Sequence, residues 1–268
     1  MNKKIGFIGC GKMASAIIKG IKASSCGEKF EIKGAEVNCE IAELAQNKLG
    51  ISVLTDNRML VIDSDVIFIA TKPNYVAQVL EEIKDELTDE KLIVSIAAGV
   101  STEKIQKIIG TKRVIRVMPN TPALVQEGMS GVCKGEFATE EDAQFVINLL
   151  SGIGKVIEVE ESQIDIVTAI SGSGPAFFYQ VIEDMARAGE KLGLDYEKSL
   201  LLATQTAAGS AKMVMNRGEL SVQTLIDNVA TKGGCTFVGI QTMKEENSAK
   251  LFSDVIEKTA RKANELGK

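Results

Sequence analysis

The sequence predicts an α/β chain: a mainly parallel sheet covered by helices on both faces, followed by an all-helical region. Three observations predict it. Short β-branched runs alternate with amphipathic stretches up to about residue 160, a glycine-bearing turn joins the first strand to the first helix, and beyond residue 160 helical periodicity takes over. The spacing predicts strands at Lys4–Ile8, Phe30–Glu36, Val66–Ala70, Leu92–Ile96, Val114–Met118, Met129–Cys133 and Lys155–Val159. Helices are predicted between them at Lys12–Ala23, Glu40–Leu49, Asn74–Lys84, Ser101–Ile109 and Glu140–Leu150. The later helices are expected at Gln163–Ile170, Gly174–Leu192, Tyr196–Asn216, Ser221–Asn228, Thr236–Glu246 and Ala249–Leu266. This divides the chain into residues 1–160, a dinucleotide-binding domain, and residues 161–268, a helical domain.

Composition narrows the function classes. With 45% hydrophobic and 25% charged residues in 268, the chain has ordinary globular usage. A formal net charge of -5 argues against nucleic acid as a partner, and no apolar run is long enough for a membrane span. Met-Asn-Lys-Lys-Ile leads straight into a strand rather than a signal peptide, so a cytoplasmic protein is expected. The five cysteines (Cys10, Cys26, Cys39, Cys133, Cys235) are scattered without a CxxC pair and read for the most part as small buried hydrophobes. There is no histidine, which removes imidazole acid/base chemistry, Ser-His and Cys-His nucleophiles and every His-containing metal site. No metal is expected. Tyr196–Asn216, rich in small residues and poor in charge, is expected to lie buried against other helices. A helical domain this small often completes its core with a second copy, which points to a homodimer.

The chemistry-bearing segments begin at Gly9-Cys10-Gly11-Lys12-Met13-Ala14, a G-x-G-x-x-A run between strand and helix. Gly9 permits the tight turn, Gly11 lets a pyrophosphate approach backbone, and Ala14 keeps helix and strand close, as in a Rossmann dinucleotide site. Beyond the second strand stands Glu36, which is either the acidic reader of ribose hydroxyls or a solvated strand-end carboxylate, so NADPH and NADH both remain open as cofactor. The loops Ala70-Thr71-Lys72-Pro73 and Ala97-Ala98-Gly99 follow two further strands, at the edge where such sheets bind ligands. Met118-Pro119-Asn120-Thr121-Pro122-Ala123 and Ser171-Gly172-Ser173-Gly174-Pro175-Ala176 hold three of the four prolines and read as fixed turns. Thr231-Lys232-Gly233-Gly234-Cys235-Thr236 leads into a helix: it is either an anion pocket of N–H groups from Gly233 to Thr236, suited to a carboxylate, or a plain glycine-bearing helix entry.

Together these motifs resemble pyrroline-5-carboxylate reductase, over Lys4 to about Met243. The resemblance implies reduction of 1-pyrroline-5-carboxylate to L-proline with NADPH or NADH, the last step of proline biosynthesis. It implies a Rossmann domain followed by a helical domain that dimerises by interleaving, with dimers often assembled into rings. It places the pyrophosphate on Gly9, Cys10, Gly11, Lys12, Met13 and Ala14, the adenosine end near Glu36 and Asn57, and the nicotinamide half along Ala70, Thr71, Lys72, Pro73, Ala97, Ala98 and Gly99. It assigns the substrate to Thr231, Gly233, Gly234, Cys235 and Thr236, with Glu161, Asp227 and Asn228 close by, Asn228 serving the cofactor as well, and Thr236 as the catalytic group. The chain departs from the family pattern at Thr231-Lys232, where the family usually has Ser-Pro, at Phe177, where it usually has Tyr, and around Val37, where it often has an Arg. Two rivals share parts of the pattern: a β-hydroxyacid dehydrogenase or imine reductase, and a non-catalytic NAD(P)-binding regulator. The first needs an acid/base lysine, and Gly174–Leu192 offers only Lys191, near its far end. Dialysis against EDTA is expected to leave turnover of pyrroline-5-carboxylate unchanged; a loss restored by added metal would overturn the metal-free reading.

Overall fold

The computed structural model describes residues 3–24 and 27–267; Cys26 lies outside them. Among the described residues eight strands form one sheet in the order β3-β2-β1-β4-β5-β6-β7-β8. They are β1 (Lys3–Ile8), β2 (Phe30–Ala35), β3 (Ser52–Leu54), β4 (Val66–Ile69), β5 (Leu92–Ser95), β6 (Arg113–Met118), β7 (Gly128–Lys134) and β8 (Gly154–Glu158). Only the β6–β7 pairing is antiparallel; the rest run parallel. The apolar runs Val66–Ile69 and Leu92–Ser95 are buried along their whole length, as strands covered on both faces must be.

Helices α1 (Lys12–Ala23), α2 (Cys39–Leu49), α3 (Asn57–Ile62), α4 (Pro73–Ile83), α5 (Thr102–Ile109) and α6 (Glu140–Leu150) cover the sheet. On one face Ile17, Ile18 and Ile21 of α1 and Val146 and Leu150 of α6 join Phe7, Phe68, Ile115 and Val132 in a core. Phe7 and Phe68, on neighbouring strands, stack with centroids 4.5 Å apart. On the other face Leu60, Leu80, Ile83 and Ile105 meet Ile8, Ile67, Ile69 and Ile93. The predicted strands and helices form with ends shifted by a residue or so, except that the helix expected at Gln163–Ile170 is an α-helical turn, Ile164–Val167, running into a π-turn at Thr168–Gly172. Two elements were not anticipated. β3 has only three residues on the sheet edge, and α3 has six, capped by Asp56 Oδ1 accepting from the backbone N–H groups of Arg58 and Met59. Both are too short to show a period.

Downstream come α7 (Ile164–Val167), a π-turn at Thr168–Gly172, α8 (Gly174–Lys191), α9 (Tyr196–Met215), α10 (Val222–Val229), α11 (Cys235–Glu245) and α12 (Ser248–Leu266). By compactness the chain divides at Ser173 and again at Lys258: one unit is residues 1–173 with 259–268, the other 174–258. The sheet ends near residue 160, but α7 and the π-turn remain packed on it, Val167 lying over Gly131 and Met118 under Gly172.

Within the helical unit α8 packs closely against α9, where Gly189 lets Ser199 approach; an added Cβ would stand 2.6 Å from the Ser199 hydroxyl. Among the residues of this unit only Gly174, Ala186, Ser199 and Ala203 are buried. Thus α9, expected to lie buried, is in one chain largely open, with Leu201, Leu202, Met213 and Met215 each about 60% exposed or more. Four such side chains forgo roughly 1.5–3 kcal/mol apiece in water. A monomer with this face bare is an incomplete fold. Leu202→Glu combined with Met213→Glu is expected to break self-association, and light scattering after gel filtration will show it; a doubly charged variant of undiminished mass would refute the role of α9.

Candidate active site

The sheet order around β1 creates a crevice. β2 and β4 flank β1 on opposite sides, so the connections leaving β1 and β4 part company at their carboxyl ends. The β1–α1 turn is held there by the Gly9 N–H donating to the Ala35 carbonyl, and the Ala70 N–H donating to that of Ile8, both at 2.9 Å. Gly9 has φ +92, and an added Cβ would lie 2.9 Å from the Ala70 oxygen, so both conformation and space require glycine. Gly11 has open space where a Cβ would stand and is the N-cap of α1, which no side chain caps. The first N–H groups of α1 are therefore free to meet an anion. Ala14 is buried against the sheet core, Met13 packs beside it, and Lys12 is exposed.

A groove of about 500 Å³ opens from this turn, lined by Gly9, Gly11, Glu36, Asn57, Ala70, Thr71 and Lys72 among others. Thus the glycine turn, the residue after β2, the start of α3 and the loop after β4 converge as expected. Glu36 Oε1 accepts the Cys10 N–H at 2.6 Å. Thr71 Oγ1 is buried without a partner, the orphaned hydroxyl expected of a wall built for a ligand. The uncapped helix, the open position at Gly11 and this hydroxyl fit a dinucleotide. Pro73 opens α4, and Lys72 stands at the N-cap position without a side-chain capping bond. Missed from the sequence were Tyr75, Gln78, Val79 and Glu82, which also line the groove. Their i, i+3, i+4, i+7 spacing on α4 was the available signal.

The loop Ala97-Ala98-Gly99 does not line this groove. Ala97 is buried and Ala98 exposed, while Gly99, at φ +74, lies against Leu266 near the end of α12, whose carbonyl oxygen would be 3.3 Å from an added Cβ. Two proline-bearing turns lock each other nearby: Asn120 Nδ2 donates to the Ser171 carbonyl at 3.1 Å, while its Oδ1 accepts the Met129 N–H at 2.8 Å.

Glu161 is bound up with the sheet. Its carboxylate pairs with the buried Arg116 of β6, accepts the Thr102 hydroxyl of α5 at 2.8 Å, and accepts the Cys133 thiol of β7 at 3.3 Å. Burial, then the charge of Glu161, pushes the Cys133 thiol far above its ordinary value. Burial, with Glu36 adding to it, pushes Cys10 up to about 12, so neither is a thiolate nucleophile near neutral pH. Of the four described cysteines these two are buried as expected, whereas Cys39 and Cys235 are exposed.

In the helical unit Gly233 has φ +84, and Gly234, the N-cap of α11, has no side-chain cap. The Gly234 N–H donates to the Thr231 carbonyl at 2.9 Å, which removes it from the expected row of donors and leaves those of Cys235, Thr236 and Phe237 at the start of the helix. Asn228 and Thr236 line one cavity of about 760 Å³ between α9, α10 and α11. Asp227 instead accepts from Gln223 along α10 at 2.8 Å, and Lys232 is exposed.

Arg116 is buried with its Nε unpartnered, so it depends on Glu161 for charge compensation. Glu161→Ala is expected to lower the unfolding free energy by about 3 kcal/mol, because a buried charge loses its partner. Urea unfolding measures it; a cost under about 1 kcal/mol, typical of a surface pair, would sink the tether.

Residues 161–266 match the family model for pyrroline-5-carboxylate reductase dimerisation, and residues 4–99 match that for NADP oxidoreductase, coenzyme F420-dependent. A pyrroline-5-carboxylate reductase from Methanosarcina acetivorans is 41% identical, covering 100% of this chain and 99% of that one. The structure of a pyrroline-5-carboxylate reductase from Coxiella burnetii matches with TM-score 0.93 at 34% identity, covering 100% of both chains. That of Plasmodium falciparum pyrroline carboxylate reductase with NADP bound matches with TM-score 0.87 at 32% identity, covering 100% of this chain and 99% of its own. An unbroken match from the glycine turn to the last helix, over a crevice shaped for a dinucleotide, places this chain in the pyrroline-5-carboxylate reductase family.

Proposed function

We propose that this protein reduces 1-pyrroline-5-carboxylate to L-proline with NADPH or NADH, the last step of proline biosynthesis. The observation that carries it is the uncapped start of α11 with Thr236 in its first turn, in a chain whose relatives bear this enzyme's name over their full length. Residues 1–160 form the dinucleotide-binding domain and 161–268 the dimerisation and substrate domain. The cofactor is held by Gly9 to Ala14, Glu36, Asn57 and Ala70 to Pro73. Bound NAD(P)H supplies a hydride from its nicotinamide ring.

The protein's own part is positioning. The free N–H groups of Cys235 and Thr236 and the dipole of α11 hold the ring carboxylate, assisted by Thr231, Gly233 and Gly234. Asp227 stands near this seat, and Glu161 serves it indirectly by anchoring the start of the helical domain. Thr236 Oγ1 hydrogen-bonds the imine nitrogen and orients the C=N face. A cyclic imine is basic enough to arrive substantially protonated, so a histidine-free site suffices. Fixing the reacting groups in line supplies the larger share of the acceleration. The bare apolar face of α9 supports a homodimer. We place it in the cytoplasm, with dimers assembled into rings, a subunit count that native mass spectrometry reads directly.

Initial rates with pyrroline-5-carboxylate and each cofactor test the activity; turnover of a hydroxyacid alone, or cofactor binding without imine turnover, would favour the rivals. Thr236→Ala is expected to lower kcat/KM by the value of one transition-state hydrogen bond, about 1–3 kcal/mol. An unchanged kcat/KM would remove Thr236 from the mechanism.

A further inference from the structure

Given that reductase reading, the adenosine end of the groove carries a charge pattern that separates the two cofactors. NADP(H) differs from NAD(H) only in a phosphate on the adenosine ribose, which in sheets of this order lies beyond the second strand. An acidic group there accepts ribose hydroxyls, whereas an arginine accommodates the phosphate. Here the residue is Glu36, and its carboxylate is fixed, because swinging it aside would break its 2.6 Å bond from the Cys10 N–H. A second carboxylate, Glu82, lines the same groove and accepts one Asn57 amide N–H at 3.0 Å, which adds a second negative group to this end.

No cation follows Glu36 at the strand end, where Val37 and Asn38 come next. Val37 has no side-chain donor, and Asn38 Oδ1 caps α2 by accepting the N–H groups of Glu40 and Ile41. Arg58 gives its Nε to the Glu82 carbonyl at 2.9 Å. Lys72 is the one cation among the described residues lining the groove, and it follows β4 while Glu36 follows β2. The two chain positions therefore stand on opposite sides of β1, about 10 Å apart at the usual strand spacing, with the glycine turn between them. That suits Lys72 to the pyrophosphate, not to the ribose phosphate. We infer that this enzyme takes NADH in preference to NADPH, with Glu36 as the specificity-determining residue.

Titration of the full-length protein with each reduced cofactor, read by nucleotide fluorescence, gives two Kd values independent of turnover. The Kd for NADH is expected to be at least about tenfold the lower, equal to ~1.4 kcal/mol. Glu36→Ser combined with Val37→Arg is expected to reverse the order, and a melting curve of each variant verifies that it folds. NADPH binding as tightly as NADH in the unaltered protein overturns the inference, and a Kd ratio unmoved in Glu36→Ala removes Glu36 as its cause. Rates with pyrroline-5-carboxylate are run in parallel. Absence of turnover with both cofactors would sink the reductase reading, while the Kd ratio still decides the preference.

Discussion

Everything in the nucleotide domain is arranged around one close approach, the backbone of Gly9 against the carbonyl of Ala70. Two parallel strands sit side by side and their exits diverge, one into α1 and one towards α4. If the β1 exit stood further from β4, α1 would not start over the crevice and its free N–H groups would point elsewhere. A side chain at Gly9 would force that separation and would meet a φ that L-residues rarely adopt. The groove, the orphaned Thr71 hydroxyl and the fixed Glu36 carboxylate are all consequences of how tightly that corner is turned.

The sheet and its helices were legible because their signals are local: buried four-residue β-branched runs for β4 and β5, and a twelve-residue amphipathic repeat for α1. β3 and α3 escaped because three residues on an edge and six under a cap carry no period. Within the site, Gly9, Gly11 and Glu36 could be read from spacing alone, since the glycine turn places them. Arg116, Thr102 and Cys133 could not, because each comes from a different element and only the fold brings them to Glu161. The loss of the Gly234 N–H to Thr231 was equally hidden, being a matter of how one turn closes.

The two proline-bearing segments, opaque as motifs, have a mechanical explanation. Asn120 ties the turn after β6 to the Ser171 carbonyl, and Gly172 is bare because the Met118 side chain occupies the space above it. With Glu161 bound to two strands of the sheet and to α5, the stretch 161–173 is fastened to the nucleotide domain on several points at once. The helices from Gly174 to residue 258 obey a different rule. They bury almost nothing within one chain, which leaves their apolar faces available to a second copy, in keeping with the match to a dimerisation model.

The far end of α12 has its own consequence for how the protein is made. Residues 259–268 belong to the same compact unit as the sheet: Leu266 lies against Gly99, and Asn264 donates to Asp165 at 2.9 Å. A ribosome thus releases the strands and crossover helices long before it releases the segment that covers the Gly99 loop. Until then the nucleotide domain is a nascent fold with one side unroofed, and its completion waits on synthesis of the entire helical unit.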